Sequence, residues 1–358
     1  MVKPILFGNE AIAMKAKFNL FHRTLSRSFG GVACAGAALL VAASLQAQNL
    51  FVGNFVNYPP KIDTITEITP SGVQSTFATG MTSPNKLAID NAGNLFESDE
   101  GSGNIYEFTP GGVRSTFASG FFAPLGFAFD GTGGVYVASS DGNIYRITSG
   151  GVQSTFASDV GPTYADMAVN SAGDLFVANS FGYIYEFTPD GVQSTFASGL
   201  GVLWGLAINS VGDLFVVDVS TSQILEFTPD GVKSTFASGL DVPGELAFNS
   251  AGNLFETDNG SGNIYEFAPD GTRSTFASGL DEPLSLAFEP MPELVATVSN
   301  GVIQVAVTMP PPNYSTIVQV STDMVNWTSV GTNTPPFIFT DSMGTTLPCR
   351  FYRALLGP

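Results

Sequence analysis

The chain has 358 residues, and its 40 glycines, 22 prolines and 30 phenylalanines are typical of many short strands joined by turns. Its formal net charge is −18 at pH 7, and the 311 residues from Gln48 onward carry 8 basic and 30 acidic side chains, or −22. Because binding to phosphate requires clustered lysine and arginine, this composition disfavours nucleic acid and anionic membrane surfaces as partners.

Residues 1–47 are predicted to be a secretory signal peptide. A basic stretch from Met14 to Arg27 precedes a small-apolar run over 30–43, and Ala47 offers a cleavage point before Gln48. Met14 begins a more conventional basic region than Met1, so translation is expected to start there. The protein is therefore predicted to be secreted or periplasmic, monomeric, and without a membrane span once the signal is removed.

Few catalytic chemistries are open to the predicted mature chain. His22, the one histidine, and Cys34, one of the two cysteines, both lie in the signal peptide, which leaves Cys349 as a single thiol. An intramolecular disulfide, a histidine general base and a zinc site built from cysteine and histidine are all excluded.

A repeat of about forty residues follows the signal. The tetrapeptide Ser-Thr-Phe-Ala recurs six times, beginning at Ser75, Ser115, Ser154, Ser194, Ser234 and Ser274. Each period holds four short apolar segments, here named strands A, B, C and D. Turn sequences such as Asn249–Gly252 join A to B, and others such as Pro269–Gly271 join C to D. The spacing predicts a propeller with four-stranded blades.

The order of the segments predicts how the ring closes. The chain begins with strands B, C and D, at 49–54, 62–68 and 73–78, and its last repeat strand, 285–288, is an A strand with no B after it. Pairing this last strand with the first three completes a sixth blade and removes the free sheet edges. A solenoid, the alternative, would need polar caps at both ends, which the sequence lacks.

The repeat resembles the NHL-repeat family of six-bladed propellers. The resemblance rests on Pro-x-x-Leu-Ala-Phe-Asn-x-x-Gly-Asn-Leu-Phe followed by Asn-Ile-Tyr-Glu-Phe, as over 243–267, and covers 49–290. The chain also resembles the wider gluconolactonase and senescence-marker superfamily. It differs from Trp-Asp repeat propellers, because it has no Gly-His or Trp-Asp signature. The propeller is accordingly assigned to residues 48–290.

Residues 291–358 have a different pattern. Alternating segments such as 294–298, 302–307 and 316–320 are separated by proline-rich stretches, which predicts a small immunoglobulin-like or fibronectin-like β-sandwich. The stretch Ser321–Trp327, together with Arg350–Arg353, resembles a C-terminal module of secreted proteins from environmental bacteria. That resemblance implies no activity.

Comparison of the repeats with one another indicates a ligand-binding face. The A–B and C–D turns are nearly uniform, whereas the D–A and B–C connections, on the opposite face, vary in length and carry aromatic and acidic residues. The predicted ligand-binding residues of this face are Phe55, Tyr58, Lys86, Phe121, Phe122, Tyr164, Trp204 and Glu282. The alternative is that these loops differ only in how they pack.

A second candidate site lies at the mouth of the central channel. The residue before the core position of strand A is charged in alternate blades, as Lys86, Asp166 and Glu245. The resemblance to gluconolactonases implies a divalent cation held there by Asn85, Asp166 and Glu245, with calcium or magnesium suited to such oxygen ligands. The alternative is a rim on which lysine and carboxylates balance one another, without a cofactor.

The sequence leaves three functions open. We expect chiefly a binding module for a carbohydrate, peptide or protein ligand. A metal-dependent lactone or ester hydrolase is the second possibility, and a structural envelope protein the third. Related propellers that act as lyases use histidines, which the mature chain lacks. Glu97 and Glu256 also stand out, because each replaces a valine in strand B, where a carboxylate is costly unless it is hydrogen-bonded or reached by solvent.

Overall fold

The computed structural model describes residues 39–43, 48–55, 63–160 and 166–290, and the C-terminal stretches 293–299, 302–308, 315–322, 326, 328–333, 337–341 and 350–357. These residues fall into two compact units, divided at 46/47 and at 289/290. All regular secondary structure within them is β-strand. No helix among them is long and apolar enough to cross a membrane.

The larger unit is a six-bladed β-propeller, as predicted. Its described residues form six four-stranded antiparallel sheets in which strands A to D are neighbours in that order. The strands, in the order A, B, C, D, are Pro283–Phe288, Leu50–Asn54, Asp63–Ile68 and Gln74–Met81 in blade 1; Pro84–Ile89, Leu95–Asp99, Asn104–Phe108 and Arg114–Ser119 in blade 2; Pro124–Phe129, Val135–Ser139, Ile144–Ile147 and Gln153–Ala157 in blade 3; Asp166–Val169, Leu175–Ala178, Ile184–Phe187 and Gln193–Ala197 in blade 4; Leu203–Ile208, Leu214–Asp218, Gln223–Phe227 and Lys233–Ser238 in blade 5; and Pro243–Phe248, Leu254–Asp258, Asn263–Phe267 and Arg273–Ala277 in blade 6.

The ring closes in blade 1, which confirms the predicted seam. Strand B of this blade pairs with the last propeller strand, with Leu50 opposite Phe288 and Val52 opposite Leu286. The Glu289 amide donates a hydrogen bond to the Asn49 carbonyl at 3.0 Å, which extends the pairing. Because the ring closes within a blade, the backbone N–H and C=O groups of the first and last propeller strands pair in an ordinary antiparallel ladder.

The core of the propeller lies between neighbouring blades, and phenylalanines of the repeated tetrapeptide hold the blades together. Phe236 on strand D of blade 5 contacts Phe215 of its own blade, with ring centroids 5.0 Å apart. It also contacts Phe267 of blade 6, at 5.8 Å. Equivalent edge-to-face contacts recur around the ring, for example between Phe96 and Phe117. Each such ring packs at the boundary between two blades.

We expect Phe236→Ala to lower the free energy of unfolding by about 3 kcal/mol, the lower end for loss of a buried phenylalanine, because this ring is only partly buried. Thermal or urea unfolding measures the change. Val232→Ala is the matched control, since that side chain is 60% exposed, and its effect should be within about 0.5 kcal/mol. Equal midpoints for Phe236→Ala and the wild type would contradict the packing described here.

The two faces of the propeller differ in the chemistry of their turns. The A–B turns are closed by one side chain, as where Asn249 Oδ1 accepts hydrogen bonds from the Ala251 and Asn253 amides at 3.0 Å. Gly252 in this turn has a φ of +84°, which favours glycine. The D–A and B–C connections lie at the other end of the strands. We call that end the loop face.

The smaller unit contains two β-sheets that share one core. One sheet has strands Glu293–Ser299, Val302–Thr308 and Phe337–Asp341, and the other has Leu39–Ala43, Arg350–Gly357, Ser315–Ser321 and Thr328–Asn333. Val305 of the first sheet packs with Val320 and Tyr352 of the second, as in a sandwich. Leu39–Ala43 belongs to the predicted signal peptide and pairs in parallel with Arg350–Gly357. Cleavage after Ala47 stays a prediction.

Candidate functional site

The channel mouth brings together five of the residues singled out from the sequence. Asn85, Lys86, Asp166, Trp204 and Glu245 line one small cavity. Leu125 and Gly126 complete its wall. Lys86, Asp166 and Glu245 lie on strand A of blades 2, 4 and 6, and the A strands of neighbouring blades contact one another around the axis. The cavity volume is about 10 Å³, which is space for roughly one water molecule.

Lys86 binds both carboxylates of this cavity. Its Nζ lies 2.7 Å from Asp166 Oδ1 and 2.8 Å from Glu245 Oε1. The three side chains are buried, with exposed fractions of 11% for Lys86, 5% for Asp166 and 4% for Glu245. Because a buried charge is tolerated only when it is paired, each of the three depends on the other two.

Hydrogen bonds to neighbouring strands fix these three residues. The Lys86 amide donates to Ser98 Oγ at 3.0 Å, and the Glu245 amide donates to Thr257 Oγ1 at 2.7 Å. Asp166 Oδ2 accepts the Leu206 amide of blade 5 at 2.7 Å. Gly205 allows blades 5 and 6 to approach, since a Cβ there would lie 2.4 Å from the Gly244 carbonyl. The carboxylates are therefore held in place before any ligand arrives.

Electrostatics keep the lysine charged. Burial lowers the pKa of Lys86, but the Asp166 and Glu245 carboxylates outweigh it and raise that pKa above its ordinary value. Burial also raises the pKa of Glu245, and the negative charge of Asp166 raises it further. The Lys86 ammonium therefore stays charged between the two carboxyl groups.

These residues do not fit a divalent cation as they stand. Asp166 and Glu245, two of the three predicted metal ligands, do meet, but the Lys86 ammonium lies between them. The third, Asn85, donates its side-chain amide to Glu100 Oε2 at 3.4 Å. Within the described ranges, no group of three or more histidine, cysteine, aspartate or glutamate side chains could hold a metal ion. The geometry is that of an internal ion-pair cluster.

The loop face presents aromatic and aliphatic side chains to solvent. Phe122, between blades 2 and 3, is 69% exposed, and Phe181, in the B–C loop of blade 4, is 60% exposed. Tyr183 stacks on Tyr185 at 5.7 Å and is itself 40% exposed. Phe181 and Tyr183 were not predicted. The available signal was the aromatic pair itself, since the B–C loops of blades 2, 3 and 6 contain only small or polar residues.

The other predicted ligand-binding residues have varied surroundings. Phe121 is 7% exposed and packs on Tyr145 at 5.6 Å, so it offers little surface to a ligand. Phe55 is half-buried, and its amide donates to the Glu282 carbonyl at 3.3 Å. Trp204 is half-buried at the cavity. Tyr58 and Tyr164 lie outside the described residues.

Three loop-face residues that precede strand A have a backbone conformation that favours glycine. The φ angles are +49° at Ala123, +54° at Val242 and +43° at Glu282. Such a φ is uncommon for any residue with a side chain and is unusual for a β-branched valine. The amides of the adjacent B–C loops donate hydrogen bonds to two of these residues. The Ser140 amide donates to the Ala123 carbonyl and the Asn259 amide to the Val242 carbonyl, each at 3.2 Å. Strain of this kind is concentrated at ligand-binding loops in proteins.

Glu97 and Glu256 are fully buried in strand B. Both have 0% exposure, and neither oxygen of either side chain has a hydrogen-bond partner among the described residues. By contrast, Asp99 and Asp258 close turns: each accepts backbone amides, as where Asp99 Oδ1 accepts Ser102 N–H at 2.8 Å. Burial raises the pKa of both glutamates well above the ordinary value, and the Gly244 backbone offsets this only in part at Glu256, so both hold a proton more strongly than an exposed carboxyl group does.

Comparison with known proteins supports the fold. No protein-family model matches the sequence, and no curated protein matches it. A streptogramin B lyase structure superposes with a TM-score of 0.54 at 14% identity, covering 70% of this chain and 91% of its own. Virginiamycin B lyase from Staphylococcus aureus gives 0.53 at 16% identity, with coverages of 70% and 94%.

Calcium-binding regucalcin from Agrobacterium tumefaciens has a TM-score of 0.51 at 13% identity and covers 75% of this chain and 87% of its own. Identities this low establish the fold alone. The chain therefore has the six-bladed β-propeller fold that it shares with these lyases and with regucalcin.

Proposed function

We propose that this protein is an exported interaction module that binds a ligand through the loop face of its propeller. The observation that carries this proposal is the group of exposed apolar side chains on four loops of this face, which are Phe122, Phe181, Tyr183, Val202 and Val242. Apolar side chains exposed together on one surface are characteristic of interaction sites. Scaffolds also place binding groups on loops.

Hydrogen bonds link these loops into a continuous rim. The Val160 amide donates to the Gly142 carbonyl at 3.1 Å, and the Leu200 amide donates to the Gly182 carbonyl at 3.2 Å. The Val202 amide in turn donates to Ser220 Oγ at 2.8 Å. A surface built from linked loops changes little on binding, which reduces the entropic cost of association.

The charges of the loop face favour a basic protein or peptide segment over the other ligand classes. Four exposed aspartates, Asp141, Asp159, Asp241 and Asp281, lie on the same loops or on neighbouring loops of this face. None of the described residues of these loops is lysine or arginine. A segment that carries lysine or arginine beside aliphatic or aromatic side chains would complement both features.

Arrays of synthetic peptides and of glycans, probed with the full chain, test this function. We expect retention on peptides that combine lysine or arginine with apolar residues, and a loss of at least about tenfold for Phe122→Ser/Phe181→Ser, since exposed aromatic anchors commonly contribute over 1 kcal/mol each. The matched control is Val113→Ser/Val192→Ser, because these valines are 67% and 61% exposed in the opposite, C–D turns. Retention on glycans alone, or equal losses in both variants, would contradict the proposal.

Export is the second part of the proposal. It is supported by the basic and small-apolar pattern of residues 14–47. Expression from Met14 should yield an extracytoplasmic product whose N-terminus lies close to Gln48. An intact product that remains in the cytoplasm would contradict export and would leave the loop-face experiment unaffected.

A further inference from the structure

The charged side chains of the channel mouth alternate with small ones. Lys86, Asp166 and Glu245 occupy blades 2, 4 and 6, whereas the same position in blades 3, 5 and 1 is Gly126, Gly205 and Ser285. The small residues leave room on the axis, and one long lysine side chain reaches across it to two shorter carboxylates. A single cation is thus shared by three blades that are not sequence neighbours.

Without the ammonium, the same oxygens would form a site for a hard cation. Carboxylate oxygens are the preferred ligands of calcium, at about 2.3–2.6 Å. Asp166 and Glu245 point to a common centre, and Asn85, Trp204 and Gly126 also line the cavity. The Lys86 Nζ, 2.7 Å from one carboxylate and 2.8 Å from the other, fills that centre. A metal ion cannot share this space with an ammonium group of the same charge sign.

We propose that Lys86 is the resident cation of the channel. Its ammonium joins blades 2, 4 and 6 and excludes divalent and trivalent cations from the wild-type site. Its removal creates a binding site for those cations between Asp166 and Glu245. The propeller thereby has an axial cation that is part of its own chain and is independent of the metal content of its surroundings.

Titration of the full chain with Tb³⁺ tests this inference, because Trp204 lines the cavity and can sensitise terbium emission. We expect no sensitised emission from the cavity in the wild type and a saturable signal in Lys86→Met. Calcium should compete for the site, with a Kd on the order of 10⁻⁴ M or weaker, given only two charged ligands. Lys233→Met is the matched control, because Lys233 is exposed on strand D.

Two further variants locate the signal. Trp204→Phe in the Lys86→Met background should abolish the emission but keep the rise of the thermal midpoint with calcium. Asp166→Asn/Glu245→Gln in that background should abolish both. Because Lys86→Met is expected to be destabilised, recovery of its folded circular dichroism spectrum by calcium is itself a supporting result.

Two results would overturn the inference. The first is wild-type emission that disappears in Trp204→Phe, since it would place a metal beside the lysine. The second is a Lys86→Met chain that neither emits with Tb³⁺ nor gains stability from calcium. The peptide-array experiment is independent of both, because it probes side chains on the loops rather than on strand A.

Discussion

Lys86→Met is expected to remove about 3–5 kcal/mol of stability at neutral pH in the absence of metal ions. The substitution leaves Asp166 and Glu245 buried with 5% and 4% exposure and without a cation. Desolvation of an unpaired carboxylate is far more costly than loss of the lysine packing alone. Urea unfolding followed by tryptophan fluorescence and circular dichroism, in the presence of chelator, measures the loss.

Two controls separate charge from packing. Lys233→Met removes a lysine that is exposed and should change the free energy of unfolding by less than about 0.5 kcal/mol. Lys86→Met/Asp166→Asn/Glu245→Gln has no charge in the cavity and should recover much of the lost stability. If this triple variant were no more stable than Lys86→Met, loss of packing rather than of charge pairing would be the cause.

Glu97→Val and Glu256→Val are expected to stabilise the protein by about 1–3 kcal/mol each at neutral pH. Both glutamates are fully buried without a hydrogen-bond partner, and Val137 and Val177 occupy the same position in blades 3 and 4 with 0% exposure. Valine removes the unsatisfied carboxyl and restores the apolar contact that those blades use between neighbours.

The reciprocal change is the control for this second prediction. Val177→Glu introduces a carboxyl into the apolar core between blades 3 and 4, where Val177 packs with Leu175 and Tyr136. This substitution should lower the free energy of unfolding by an amount similar to the increase expected for Glu97→Val. A loss of stability in both glutamate-to-valine variants would show that these carboxyl groups have partners that stabilise the folded state.

The same glutamates make stability depend on pH. Their folded-state pKa is raised above the ordinary value of 4.5, so the folded chain holds protons that the unfolded chain releases. The contribution of these two groups to the free energy of unfolding is therefore greatest below pH 4.5. It falls as the pH rises from there toward their raised folded-state pKa. Glu97→Val/Glu256→Val should flatten the decline of the unfolding free energy between pH 5 and 8, measured by urea titration at each pH. A decline that is the same in both chains would contradict their protonation.

The sequence was sufficient to predict the ring and its seam. Six copies of one tetrapeptide set the period, and the orphan strand at 285–288 could pair only with the incomplete set at 49–78. The structure extends that strand to Pro283–Phe288 and places it beside Leu50–Asn54. A repeated sequence makes such a prediction secure, because the strands and turns assigned in one repeat can be checked against the same segments of the other repeats.

The candidate site was predicted in position but not in detail. The sequence predicted Lys86, Asp166 and Glu245 at one rim, because charged residues occupy the same position of strand A in alternate blades. The structure brings all three side chains into contact. Their contact depends on side-chain reach, because a lysine can span the axis and an aspartate cannot. The sequence pattern carries no information on that reach. Phe181 and Tyr183 were missed for a related reason, since their exposure depends on how a B–C loop turns.

The most direct test of Lys86 as the cation of the channel is a structure of the wild-type chain from crystals grown in calcium, with anomalous diffraction data. We expect Lys86 Nζ to lie within ion-pair distance of Asp166 and Glu245, with no anomalous peak in the cavity. An anomalous peak between the two carboxylates, with the lysine displaced toward solvent, would contradict an axial cation supplied by the chain itself.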